Sequence, residues 1–125
     1  MKKFLPIVLV VAMLGCASAT YKAHPGSVNL FDSQTYDTLF VTHSVIESAK
    51  ASLTAGSFTP AVAAAVKAAV DDLVTAYNVA DTAYLVYHSA AVAGTVTPAQ
   101  IAAVNSGIVQ VTNATSALNS LTGAK

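Results

Sequence analysis

The sequence is poor in charged side chains and contains no arginine and no tryptophan. Charged residues make up 10% of the chain, whereas ordinary soluble domains contain roughly 25%. All basic residues are lysines, and the 6 of them balance 6 acidic residues. Binding to nucleic acid ordinarily needs a basic stripe that displaces counterions from phosphate. The sequence has no such stripe, so we expect no nucleic-acid partner.

Residues with catalytic or metal-binding chemistry are also scarce. The chain has 1 cysteine, 3 histidines and one glutamate, and a single cysteine excludes an internal disulfide and a cysteine-rich zinc site. It contains no Gly-x-Ser-x-Gly elbow, no glycine-rich phosphate loop and no His-x-x-x-His motif. Asp71 and Asp72 are adjacent on a predicted helix and point about 100° apart, which does not suit a catalytic carboxylate pair. We predict that the protein is not an enzyme and has no cofactor.

The charged residues that exist are confined to part of the chain, because residues 82–124 contain none. This stretch is not a membrane span, since Gly94, Pro98 and several amides interrupt it and no run of about 18 apolar residues occurs. One interpretation is a solvated, uncharged face. The other is a surface that contacts another protein or a second copy of the chain, because low charge weakens the repulsion that keeps proteins apart.

The N-terminus has the pattern of a secretory signal. Lys2 and Lys3 precede an apolar run over residues 4–14, which is too short to span a bilayer as a stable helix. Two processing sites follow. Ala17-Ser18-Ala19 fits ordinary signal peptidase, which would release a soluble secreted or periplasmic chain from Thr20.

The second processing site ends at the only cysteine. Ala12-Met13-Leu14-Gly15-Cys16 resembles the lipobox of bacterial lipoproteins, a resemblance that covers residues 1–16 and no more. It implies that the chain is cut before Cys16 and that Cys16 carries acyl chains, which together give stable membrane anchoring because a single chain is marginal. In a two-membrane bacterium, Ala17 resembles the sorting signal for the outer membrane, with the protein facing the periplasm.

Apolar residues recur at steps of three and four along three stretches, which predicts helices at about 33–55, 60–93 and 98–121. The middle stretch shows this stripe throughout its length: Val62, Val66, Ala69, Leu73, Tyr77, Ala80, Tyr84, Tyr87 and Ala91. We expect residues 1–15 to be a signal peptide, 16–31 a lipid-attachment cysteine and flexible tether, and 32–125 the helical domain. Short connectors favour an all-α, antiparallel up-down-up three-helix bundle with a long central helix.

Residues suited to helix ends flank each stretch. Thr97 and Gln100 have the spacing of a capping box at the start of the third helix. The other predicted starts and ends are Asp32 or Ser33 and Gly56 for the first helix, and Thr59 and Gly94 for the second.

Antiparallel pairing about each connector predicts which residues face one another. It places Glu47 near Lys67, and His43 near Asp71 or Asp72. The start of the first helix then lies beside Asp81 or Thr82, so the end of the second helix extends past it. Gly107, which is unfavourable inside a helix, is expected to make room for Tyr84 or for a close helix approach.

Two groups of side chains are candidate sites. Tyr84, Tyr87 and His88, at the projecting end of the second helix, can line a binding groove for an aromatic ligand or a haem; alternatively the tyrosines are amphipathic residues at the edge of the core. His43 and Glu47 are four residues apart on one helix, a spacing that can chelate a metal, but we favour a polar surface pair with Asp71 or Asp72 opposite.

Taken together, the sequence predicts an exported, lipid-anchored helical protein with a structural or protein-interaction role at the cell envelope. Its expected partners are the membrane, through the anchor, and a protein or second copy, through the uncharged third helix. The alternatives are a small-ligand or metal-binding envelope module that uses the Tyr84/His88 end, and a soluble secreted assembly subunit cleaved after Ala19.

Overall fold

The computed structural model describes residues 23–123, so the predicted signal peptide, Cys16 and the last two residues lie outside the described range. Within it the chain forms α1 (Leu30–Thr54), α2 (Pro60–Ala93) and α3 (Pro98–Gly123). The predicted all-α three-helix bundle is confirmed. None of these helices is both long and apolar enough to cross a membrane.

The first helix begins earlier than predicted. Asn29, and not Asp32 or Ser33, is its N-terminal cap, and the Asn29 side chain accepts a hydrogen bond from the Asp32 N–H at 2.8 Å. The Asp32 carboxylate reaches back to accept from the Val28 N–H at 3.0 Å. This reciprocal arrangement satisfies two backbone donors at the start of the helix. Leu30, which we assigned to the tether, therefore lies in the first turn of α1.

The other helix ends follow the sequence with one exception. The capping box is confirmed, because the Thr97 N–H donates to Gln100 Oε1 at 2.9 Å and the Gln100 N–H donates to Thr97 Oγ1 at 3.3 Å. Gly94 ends α2 in the left-handed conformation, with φ of 72°, which glycine adopts without steric cost. Thr59 precedes α2 as predicted, but its side chain makes no capping hydrogen bond. It starts the helix through its carbonyl oxygen, which accepts from the Ala63 N–H at 2.7 Å.

The pairing of α1 with α2 is antiparallel, but its register differs from the prediction. His43 packs against Tyr77, with ring centroids 5.9 Å apart, rather than against Asp71 or Asp72. Glu47 pairs with Lys50 on its own helix, at 3.5 Å, and not with Lys67. The predicted register is wrong because contacts at the start of α1 hold that helix closer to the C-terminal end of α2 than the connector suggests.

The consequence is that the end of α2 does not project beyond α1 as predicted. Tyr36 of α1 packs against Tyr84, with ring centroids 6.4 Å apart, and Asp32 bonds to His88. Tyr84 and Tyr87 are buried. The end that we expected to be an open groove is therefore covered by the first turns of α1.

The core runs the length of α2, which packs against both other helices. At about 1.5 Å per residue, its 34 residues form a rod of about 50 Å. Leu73, Val66, Val104, Val111 and Leu118 are buried almost completely. Several other buried positions are alanines, which bring the helix axes close together but each bury little apolar area.

Gly107 on α3 lies against the backbone of α2. A Cβ atom at this position would be 2.8 Å from the Cα and 3.0 Å from the Cβ of Ala80. The prediction of a close helix approach is confirmed, although the partner is Ala80 and not Tyr84. Since the nearest atom belongs to the backbone, no rotamer change can relieve such a clash.

We expect Gly107→Ala to destabilise the bundle. Helix propensity alone would stabilise the variant by about 1 kcal/mol, but overpacking against the Ala80 backbone costs about 1–3 kcal/mol. Thermal unfolding followed by circular dichroism should show a lower Tm. The control is Gly123→Ala, where an added Cβ meets nothing within 4 Å and no loss is expected. A higher Tm for Gly107→Ala would contradict the close approach.

Candidate functional site

The predicted site residues Tyr84, Tyr87 and His88 meet the start of α1 and form one polar cluster with Asn29 and Asp32. We call these five residues the polar cluster. The Asp32 side chain is 0% exposed and that of His88 is 33% exposed. The cluster therefore reaches solvent through the His88 imidazole and through Asn29, which is exposed.

A histidine–carboxylate pair, half-buried on the His88 side, forms the centre of the polar cluster. His88 Nδ1 lies 2.8 Å and 2.9 Å from the two carboxylate oxygens of Asp32. Because a carboxylate only accepts hydrogen bonds, this contact requires the proton on Nδ1. The other ring nitrogen, Nε2, remains available for a proton or a ligand. In metal and catalytic sites a carboxylate often orients histidine in the same way.

The Tyr84 hydroxyl is held in its protonated form. Burial, the negative charge of Asp32 and a hydrogen bond to that carboxylate raise the pKa of Tyr84 to about 12, with smaller contributions from Tyr36 and Asp81. At neutral pH this hydroxyl is therefore a hydrogen-bond donor. It does not supply a phenolate that could act as a nucleophile or base.

Tyr87 fastens the cap of α1 to α2. The Asn29 Nδ2 group donates to the Tyr87 hydroxyl at 2.9 Å, and that hydroxyl lies 3.3 Å from Asn29 Oδ1. The Phe31 ring meets the Tyr87 ring edge-on, with centroids 5.0 Å apart. One side chain thus contributes both apolar burial and a polar contact. These bonds, together with that of His88, set the register of the two helices.

The residues just before α1 fold over the polar cluster. His24 and Ser27 form a turn in which the Ser27 N–H donates to the His24 carbonyl at 3.1 Å, and the His24 N–H donates to Ser33 Oγ. The His24 ring packs on Tyr36, with centroids 4.0 Å apart. This part of the predicted tether is therefore docked on the bundle.

A small pocket of about 170 Å³ lies beneath this turn. Its lining is aromatic and imidazole-rich and consists of His24, Pro25, Gly26, Ser27, Tyr36, Tyr84 and His88. Typical ligand sites measure about 300–1,000 Å³. The pocket therefore suits an ion or a ligand of a few atoms, and it is too small for the haem or larger aromatic ligand considered from the sequence.

His43 and Glu47 are remote from the polar cluster and both are exposed. His43 contacts the Tyr77 ring, and Glu47 pairs with Lys50. Across residues 23–123, no group of three or more His, Cys, Asp and Glu side chains is placed to hold a metal ion. The geometry gives this pair no third ligand.

A second feature is the outer surface formed by residues 82–123, which we call the uncharged surface. It contains no Asp, Glu or Lys. It nevertheless carries five of the nine large apolar side chains that are exposed in the described chain. These are Leu85, Val86, Val92, Ile101 and Val109.

Sequence reasoning found the α2 half of the polar cluster but missed Asn29, Asp32 and His24. An Asn-x-x-Asp spacing before an apolar stripe is a detectable cap signal, and it was available at Asn29 and Asp32. The docking of His24 has no local signal, because it depends on the α1–α2 register.

No family model, curated protein or solved structure matches this chain.

We expect Asp32 and His88 to be energetically coupled. Asp32→Ala leaves the His88 Nδ1–H and the Val28 N–H without an acceptor, and it should cost more than about 2 kcal/mol of unfolding free energy. In a double-mutant cycle with His88→Ala, urea unfolding should give a coupling energy above about 1 kcal/mol. Asp72→Ala, at an exposed position, is the control and should change stability by less than about 0.5 kcal/mol. Additive effects of the two substitutions would contradict the pairing.

Proposed function

We propose that this chain is an exported, lipid-anchored helical protein with a structural or protein-interaction role at the cell envelope. Cys16, in the sequence that resembles a lipobox, is the attachment point. In a two-membrane bacterium the protein is held at the outer membrane and faces the periplasm. It acts by contact and not by catalysis.

The uncharged surface is the observation that carries the interaction role. Leu85, Val86 and Val109 are each more than half exposed, and no charged side chain lies among them in residues 82–123. Exposed apolar groups favour association, because contact removes apolar area from water. The same lack of charge allows a second copy to approach without repulsion. The partner surface is therefore another protein or the same face of a second copy.

The polar cluster supports a scaffolding role rather than a reactive one. Asp32 and His88 bond to each other, and Asn29 and Tyr87 bond to each other. Tyr84 stays protonated at neutral pH because its pKa is raised to about 12. These bonds hold the two helices in register, which keeps the outer surface rigid.

The lipid anchor is tested by metabolic labelling with radioactive palmitate. We expect label in the wild-type protein and none in Cys16→Ser, because acylation requires the cysteine thiol. Mass spectrometry of the mature N-terminus is the companion measurement. An unlabelled wild-type protein that begins at Thr20 would remove the anchor and support the soluble assembly subunit.

The contact role is tested by placing a photo-activatable cross-linking amino acid at Val109 in intact cells. We expect a discrete cross-linked product from Val109 and none from Ala64, an exposed control position outside the uncharged surface. Light scattering of the purified protein at several concentrations then identifies a second copy as the partner. If Val109 and Ala64 give the same faint background, the uncharged surface is not an interaction surface.

A small-ligand or metal-binding module is the second candidate, favoured by two imidazoles that line one pocket. His24 and His88 share this pocket, and Asp32 holds the His88 proton on Nδ1 and leaves Nε2 free.

Zn²⁺ is the probe of choice because it takes imidazole ligands readily. Calorimetric titration should show binding heat that His88→Ala and His24→Ala each abolish, whereas His43→Ala keeps it. Absence of heat in the wild type would remove this candidate.

A further inference from the structure

Charge and apolar exposure are distributed unequally along the bundle axis. The start of α1, the end of α2 and the start of α3 lie at one end, which we call the anchor end; it includes the connector at residues 94–97. Its exposed large apolar side chains are Val28, Leu30, Val92 and Ile101. Such a group at one end of a rod is unusual for a surface that faces only water.

The anchor end exposes no carboxylate or ammonium group among the described residues. Asp32 is the acidic residue closest to it, and its side chain is fully buried against His88. Asp37 and Asp81, the next along α1 and α2, lie about 10 and 18 Å from the corresponding helix ends at 1.5 Å per residue. The exposed pairs Lys50–Glu47 and Lys67–Asp71 lie towards the opposite end.

The length of chain before the bundle limits where a lipid anchor can reach. Residues 16–22 separate the lipidation site from the described chain and span at most about 25 Å when extended. His24 is fixed beside Ser33 and Tyr36, within about 10 Å of the anchor end. The opposite end of α1, at Thr54, is about 30 Å beyond Ser33. An anchor at Cys16 therefore brings the bilayer to the anchor end.

We propose that the anchor end rests on the lipid bilayer, with Val28, Leu30, Val92 and Ile101 in the headgroup and outer acyl region. The inference rests on the lipid anchor of the proposed function and names the bilayer as a second contact surface. Val92 and Ile101 lie within about 5 Å of the ends of their helices, and interfacial segments bury apolar groups about 5–10 Å deep. The anchor gives the anchor end a high effective concentration at the bilayer surface, so a weak contact is sufficient to keep it there.

Charge distribution favours this upright orientation over a bundle that lies flat. Laying α2 on the bilayer would press Lys67, Asp71 and Asp72 into the interface, where removing charges from water is costly. Laying α3 on the bilayer would bury a face that carries Asn105 and Asn113, which lacks the apolar stripe of an interfacial helix. Upright, the charged groups stay in water and the sides of α2 and α3 stay free for a protein partner.

Two pairs of matched positions distinguish the orientations. One pair, on α3, is Ala99 and Ala117. The other pair, on α2, is Ala93 and Thr75, and all four positions are exposed. Each pair is separated by 18 residues, or five turns, so its members share a helix face about 27 Å apart. Each position is changed singly to cysteine in the full chain, purified as the acylated protein. Acylation consumes the Cys16 thiol, so a fluorescent probe attaches only at the new cysteine.

The labelled proteins are reconstituted into phosphatidylcholine vesicles with or without bromine on the acyl chains. We expect brominated lipid to quench the probes at Ala99→Cys and Ala93→Cys, and to leave those at Ala117→Cys and Thr75→Cys unchanged. Circular dichroism verifies that all four variants are folded. Equal quenching of both members of either pair would show a bundle lying flat on that helix, and no quenching at any position would show a freely tethered bundle. Both results overturn the proposal.

Failure of this inference is separable from failure of the proposed function. Mass spectrometry of the reconstituted protein reports whether Cys16 carries acyl chains. If the chains are present and the probes at the anchor end are unquenched, only the upright contact fails. If Cys16 carries no acyl chain, the proposed anchor fails first.

Discussion

The buried carboxylate of Asp32 is the constraint on which the bundle depends. An ionised carboxylate is costly to bury unless hydrogen bonds and an opposite charge compensate it. Here the Val28 N–H, the His88 imidazole and the Tyr84 hydroxyl supply that compensation. Because these groups come from the start of α1 and the end of α2, satisfying one side chain sets the register of both helices. The docked turn at His24 follows from that register.

Small residues impose the second constraint, which limits what the interior can do. Gly107 against Ala80, and the buried alanines along α2, bring the helix axes close together. The one pocket beside the polar cluster measures about 170 Å³. Close packing of this kind makes the outer surface that the helices present rigid.

The exterior is divided by the position of its charges. Exposed ion pairs lie near the end of α1 and in the first half of α2, whereas α2 after Asp81 and all of α3 lack charged side chains. This division gives the rod one end with exposed charges and one end without them. The sides of α2 and α3 between them stay accessible. With the anchor proposed at Cys16, a bundle of this polarity would hold a partner at a fixed distance from a membrane.

The sequence by itself determined the number of helices, most of their ends and the close approach at Gly107. It could do so because the helical period, the capping residues and the free-energy cost of glycine inside a helix are local properties. It also determined where charge is absent. Only the tertiary structure decided the register of α1 on α2, and so the burial of Tyr84, the docking of His24 and the pairing of His88 with Asp32. Pairing residues by their distance from the α1–α2 connector gave the wrong register, because the length of a loop constrains the register only loosely. Buried polar groups constrain it tightly, since each must find its partner in the folded chain.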